Sequence, residues 1–213
     1  MYKIKHIGSL NAEDLSAAAA LLDKTPAQVV ACNNWSGQFP YAPDVHFRMG
    51  HNNEYIFIKF EVRESCTLAT ITSDNGEVWT DSCCEFFIAF DESGYYNFEF
   101  SCIGKALLGF RKERPNVTHG TAEVMTSIKR FSTLGTENFN ERTGDSRWAL
   151  TVAIPVTAFF RHQIKELSGL KATANIYKCG DKLTHPHYLS WMPIDMPKPN
   201  FHVPQFFTEI TFE

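Results

Sequence analysis

The sequence predicts a mainly β protein: an antiparallel β-sandwich, jelly-roll or immunoglobulin-like, with one N-terminal helix, built as a single domain over residues 1–213. Two observations carry this. In the segment 79–100, WTDSCCEFFIAFDESGYYNFEF, Cys84, Phe86, Ile88 and Phe90 alternate with Cys83, Glu85, Phe87 and Ala89. After the turn at Asp91-Glu92-Ser93-Gly94, Tyr96, Phe98, Phe100 and Cys102 alternate with Tyr95, Asn97, Glu99 and Ser101. A period of two with one apolar face marks a half-buried antiparallel pair, which leaves the second face for a ligand. Turn signals also separate short apolar-alternating runs along most of the chain, and 18 Phe in a 14% aromatic composition favour strands over helices.

From the N-terminus, Tyr2 to Ile7 reads as a short strand. Asn11 is placed to cap a helix over 12–24, with Leu15, Ala18, Ala19 and Leu22 as the stripe docked on the sheet and Pro26 beyond its end. Strands follow near residues 44–49 and 55–63 around the turn Gly50-His51-Asn52-Asn53, then at 83–90, 95–102, 105–111, 122–131, 147–154, 170–177 and 207–212. Pro155 suits the first turn of a short helix through Phe160. Residues 180–204 are Pro-rich and aromatic without clear periodicity, and read as an ordered loop across the sheet edge; long ordered loops in compact domains are often functional.

Composition excludes several classes. A net charge of −4, and a longest basic cluster (Arg111-Lys112-Glu113-Arg114) interrupted by an acid and read as a solvated loop, argue against a nucleic-acid partner. No apolar run approaches the roughly 20 residues needed to span a bilayer. The N-terminus lacks the apolar core of a secretory signal, which implies a cytoplasmic chain if it is full-length and a periplasmic or extracellular one if a signal was removed. The six cysteines have no paired C-x-x-C spacing, so they read as buried free thiols, with Cys84 and Cys102 on core faces. His185 and His187 flank a proline without nearby carboxylates and read as loop residues. There is no G-x-S-x-G, H-E-x-x-H or P-loop.

Trp79 stands among polar neighbours and precedes the alternation rather than joining it. Its ring suits the C–H-rich side of a pyranose. Glu85 falls on the non-core face, where a carboxylate can take adjacent hydroxyls; the rival reading pairs it with Arg63 or Lys59. Asn97 shares that face on the next strand, and Trp35 and Trp148 read as structural.

Trp79-x-Asp81-Ser82-x-x-Glu85, Tyr95 through Phe100, the run from Trp148 to Pro155, Ser190-Trp191 and the ending from Pro199 to Phe207 together resemble the family 9 carbohydrate-binding modules of the wider DOMON-like superfamily, in a stand-alone branch. The resemblance implies non-catalytic binding of a mono- or oligosaccharide, with the sugar stacked on Trp79 and its hydroxyls held by Glu85 and Asn97. Asn97 stands where better-known members carry a basic residue. Trp191 is the matching candidate for a second aromatic wall facing the same cleft, against packing beside Met192. Members often bind calcium in a loop, for which Asp74, Asn75 and Asp81 are candidate oxygen ligands here.

Two other classes stay open. A glycoside hydrolase would need two carboxylates, for which Glu85 and Glu99 on neighbouring strands can be proposed. A haem- or flavin-binding redox domain of the DOMON-like kind would need axial ligands, for which Met49 and His51 are available without a diagnostic frame.

Overall fold

The computed structural model describes residues 1–8, 10–113 and 115–213, so Arg114 of the basic cluster lies outside the described residues. The strands are β1 Tyr2–His6, β2 Gln28–Val29, β3 Asp44–His51, β4 Tyr55–Ala69, β5 Cys83–Asp91, β6 Gly94–Ser101 and β7 Ala106–Arg111. They continue as β8 Val117–His119, β9 Lys129–Ser132, β10 Phe139–Pro155, β11 Lys171–Cys179, β12 Tyr188–Ser190 and β13 Thr208–Phe212. Helices α1 Leu15–Leu22 and α2 Ala122–Ser127 join them, with 3-10 turns at Val78–Thr80, Val156–Ala158 and Pro204–Phe206.

One sheet runs β8-β7-β6-β5-β11-β13-β1 and the other β1-β3-β4-β10-β9, with β12 beside β11 and β2 beside β3. β1 belongs to both. Its residues 2–4 pair in parallel with residues 210–212, and its Lys5 and His6 pair in parallel with Gly50 and His51. This short strand stitches the sheets at one edge and departs from the antiparallel expectation.

The alternation read from the sequence builds the space between the sheets. Cys84, Phe86, Ile88, Phe98 and Phe100 meet Phe47, Ile58, Phe60, Leu150 and Val152 there. All six cysteines are free, and Cys84 and Cys102 are both wholly buried. α1 covers the outer face of the second sheet through Leu15, Ala18 and Leu22 on Phe57 and Ala153. It begins later than the sequence suggests, because Asp14 Oδ1 accepts from Ala17 N at 3.0 Å. Asn11 Oδ1 instead closes the preceding turn on Glu13 N at 3.0 Å. The strand expected from residue 122 opens as α2, because the Thr121 hydroxyl caps Val124 N at 3.3 Å and only Lys129–Ser132 pairs.

The outer face of the first sheet is not open, as half-burial would imply: residues 95–101 are all buried. Trp35, Ile194, Phe201 and Val203 form a further layer on Phe87, Tyr95, Leu107 and Tyr177. Much of that layer comes from the long segment after β11, whose β12 pairs with residues 177–179.

Among the described residues, one ion pair is wholly buried. Lys178 Nζ lies 2.9 Å from Glu64 Oε2, and both side chains are 0% exposed. Lys178 also donates to His187 Nε2 at 2.7 Å and to the Cys179 carbonyl at 2.9 Å, while Trp148 Nε1 donates to Glu64 Oε1 at 2.7 Å. His187 donates from Nδ1 to the His185 carbonyl at 2.9 Å, which fixes its tautomer. Burial and the ammonium hold the His187 pKa well below its ordinary value, so the ring stays neutral. For Lys178 burial opposes the charge most strongly, but Glu64 together with the neighbouring Cys84 and Cys179 holds the pKa above the ordinary lysine value. Among the described residues, no helix is long and apolar enough to cross a membrane.

Lys178→Met leaves Glu64 charged and unpaired, and should cost about 3–5 kcal/mol in urea unfolding. The double change Lys178→Met with Glu64→Leu should recover most of that loss. A single variant as stable as the parent would show that the pair does not organise the core.

Candidate functional site

β5 and β6 lay Glu85 directly opposite Glu99, and β11 lays Tyr177 on the other side of Glu85. All three point away from the inter-sheet core, toward the outer layer. That layer leaves one opening of about 480 Å³, with Glu85 and Glu99 on the floor and Trp79, Arg111, Asp181, Tyr188, Phe201 and His202 around them.

The Asp-Ser pair after Trp79 explains how the ring is held. Asp81, wholly buried, accepts from Thr70 N at 2.8 Å, Ile71 N at 2.9 Å and the Thr70 hydroxyl at 2.8 Å. Ser82 Oγ accepts from Leu68 N at 3.2 Å. Both residues therefore tie the turn Val78–Thr80 to the end of β4. The Trp79 carbonyl in turn accepts from Asp181 N at 3.2 Å, which draws the loop after β11 against it. Phe201 is fixed by stacking on Tyr177, with centroids 4.2 Å apart and planes 9° from parallel.

The floor is electrostatically loaded. Neither Arg63 nor Lys59 pairs with Glu85, for they bind Asp145 and Asp23. Glu85 Oε1 instead accepts from the Cys179 thiol at 3.1 Å. Burial, then the neighbouring Cys179 and Glu99, push the Glu85 pKa well above the carboxylate range. Burial raises Glu99 to about 7, although a hydrogen bond from Asn97 and the nearby Arg111 charge pull it down. Asp181 is also raised, chiefly by burial.

Of the residues singled out from the sequence, Trp79 and Glu85 come together in the cleft. Asn97 lies beneath it, wholly buried, donating to Glu99 Oε1 at 2.9 Å and accepting from Arg111 Nε at 3.2 Å. It is a support for the floor, with room made by Gly109 on β7, where a Cβ would stand 2.6 Å from Asn97 Oδ1. Trp191 is a correction. Its ring packs on Tyr2 and Phe47 between the sheets, at centroid distances of 5.4 and 5.3 Å, far from the clamp it was expected to close. The cause is parity: Ser190 pairs with outward-facing Tyr177 and Leu189 with inward-facing Lys178, so Trp191 turns inward and Tyr188, paired with Cys179, turns to the cleft. Sequence reading also missed Arg111, set aside in a solvated loop, and Asp181. The Pro199-Asn200-Phe201-His202 run did flag the last wall, where His202 Nδ1 meets the Tyr95 hydroxyl at 3.0 Å.

The candidate calcium oxygens do not fit a cation. Asp74 is gripped by Arg130 at 2.7 and 2.9 Å and by Ala106 N at 3.0 Å. Asn75 Oδ1 accepts from Leu108 N at 3.2 Å, and Asp81 is filled by backbone and hydroxyl donors. Cys83, Glu85 and Cys179 bring ligand atoms within 4.8 Å of one another. Here Cys179 donates its thiol proton to Glu85 Oε1 at 3.1 Å, so the two thiols and the carboxyl form a buried hydrogen-bonded cluster. Met49 is core, and His51 Nε2 donates to the Glu213 carbonyl at 2.7 Å, so neither offers a haem an axial position.

The model of carbohydrate-binding family 9 matches residues 16–212. A Bacteroides uniformis protein, named as a candidate carbohydrate-binding protein, is 38% identical, with a TM-score of 0.95 over 99% of this chain and 98% of that one. Two structures of a family 9 module from Caldicellulosiruptor kristjanssonii share the fold. The glucose complex is 10% identical with a TM-score of 0.60 over 99% and 95% of the two chains. The cellotriose complex is 9% identical with a TM-score of 0.59 over 100% and 93%. Among curated proteins none matches the chain.

Glu99 holds its proton to about 7 in the folded chain against an ordinary value of 4.5. The folded state then binds more protons than the unfolded one between these values, so this group's contribution to stability falls as pH rises through that window. Glu99→Gln does not titrate. Its melting temperature should therefore rise relative to the parent from about pH 5 to about pH 8. A constant difference would contradict the shift.

Proposed function

Because the chain belongs to carbohydrate-binding family 9, we propose that this cleft binds a mono- or oligosaccharide without turning it over. The observation that carries the reading is the pairing of the Trp79 ring with the Glu85 and Glu99 carboxyls around one opening of about 480 Å³. That volume suits a sugar unit or two. An apolar sugar face packs on Trp79 while hydroxyls at the ring edge meet the carboxyls, which accept when ionised and both donate and accept when protonated. Tyr188 and Phe201 supply further apolar wall. The fold neighbours that hold glucose and cellotriose make those two sugars the first probes.

The same carboxyl pair argues against hydrolysis. Glu85 and Glu99 are cross-strand partners on one face of one sheet. Both therefore approach a bound ring from below, whereas glycoside hydrolysis sets its two carboxyls on either side of the scissile bond.

Titration with glucose and cellotriose, followed by tryptophan fluorescence and calorimetry, tests the reading. Saturable binding is expected, with no release of aglycone from chromogenic glycosides. Trp79→Ala should cost about 1–3 kcal/mol of binding, by analogy with stacking on other flat rings. Glu85→Ala should cost about 1–3 kcal/mol through lost hydrogen bonds, whereas Trp191→Phe should leave affinity unchanged. Equal affinity in parent, Trp79→Ala and Glu85→Ala would move the site elsewhere.

A further inference from the structure

The cleft is more acidic than a neutral sugar requires. Among the described residues, Glu85, Glu99 and Asp181 line it with one guanidinium, Arg111. Arg111 is already engaged by Asn97 Oδ1 at 3.2 Å. Glu99 is 4% exposed, and its Oε2 has no hydrogen-bond partner. A buried carboxyl oxygen left unpartnered on the floor of a cleft costs stability unless a ligand supplies the missing donor.

A metal ion is the wrong occupant for this charge. Of the three acids only Glu85 belongs to a group whose ligand atoms gather within 4.8 Å, and its companions there are the thiols Cys83 and Cys179. Glu85 and Glu99 are cross-strand neighbours, but with Asp181 they do not gather into one group of oxygens within 4.8 Å. That spacing suits an organic cation, whose charge is carried on a larger body with several N–H donors. The aromatic rings of Trp79, Tyr188 and Phe201 suit it too, since a ring face attracts an ammonium group as well as a C–H-rich surface.

We infer that the cleft selects a sugar carrying a free, protonated amino group, with the ammonium directed to the Glu99 side of the floor and the ring on Trp79. The inference rests on the sugar-binding reading above and adds the charge of the ligand to it. The raised pKa of Glu99, about 7, is consistent with a carboxyl waiting for a counter-charge. Arrival of an ammonium favours the ionised carboxylate, so binding near neutral pH releases a proton from the protein to the solvent.

Calorimetry with glucosamine, N-acetylglucosamine and glucose near pH 6.5 tests this, each run in two buffers of different ionisation enthalpy. The three probes share a ring; only the first carries the charge. Glucosamine should bind about tenfold or more tightly than the other two, a difference of about 1.4 kcal/mol, and it alone should show buffer-dependent heat from proton release. Glu99→Gln should abolish both the preference and the proton release, lowering glucosamine affinity more than glucose affinity, and Asp181→Asn should weaken the preference. Glucose binding with glucosamine equal or weaker would overturn the charge inference and leave sugar binding standing. Binding of none of the three would also overturn it, and the cellotriose titration then decides the broader reading separately.

Discussion

A lysine ammonium with no access to water sits at the centre of this molecule. Lys178 meets Glu64 from the opposite sheet, His187 from the loop that follows its own strand, and the Cys179 carbonyl. A buried charge tolerates only an arrangement that keeps its partners in reach. β11 is therefore fixed in register against β4 across the core and against β5 and β13 within the sheet. A slip of one residue would carry the ammonium to the outer face and turn Tyr177 and Cys179 into the core. Those two residues form part of the cleft and its support, and His187 anchors the loop bearing Asp181 and Tyr188. The ion pair on one face of β11 thus positions the candidate site on the other.

The two faces of the first sheet divide the work. The inner face is Phe-rich and packs on the second sheet. The outer face mixes aromatics with Glu85, Asn97 and Glu99, and would be an ordinary solvated surface without the layer formed by Trp35 and the segment around Phe201. That layer changes the chemistry of the acids it covers. Desolvated and adjacent, Glu85 and Glu99 resist ionisation, whereas the same residues on an open strand would be ordinary carboxylates. Asn97 offsets part of the cost on Glu99 through its amide hydrogen bond.

Much of this was legible in the sequence, for local reasons. The period of two through Cys83–Asp91 and Gly94–Ser101 gave both the hairpin and the side on which Glu85 lies, and Trp79 stood out because it precedes the alternation. What failed depended on pairing between distant segments. Nothing near Trp191 states that Ser190 will pair with Tyr177, and that pairing alone decides that Tyr188 faces the cleft and Trp191 the core. The burial of Asn97 could not be read either, since the covering layer comes from residues about a hundred positions later. Arg111 was hidden by its neighbours: a cluster of charges reads as solvated, although its first member ends a strand opposite Tyr95 and donates to Asn97, the support of Glu99. The late start of α1 is a smaller miss, because Asn11 and Asp14 are both good caps and only tertiary packing chooses between them.

A crystal structure of the protein soaked with sugar decides where the ligand sits. A sugar ring is expected against the indole of Trp79, with its hydroxyl or amino groups within hydrogen-bond reach of Glu85 and Glu99, and Trp191 unmoved between the sheets. A sugar held at another surface, with the Trp79 cleft empty under saturating ligand, would contradict it.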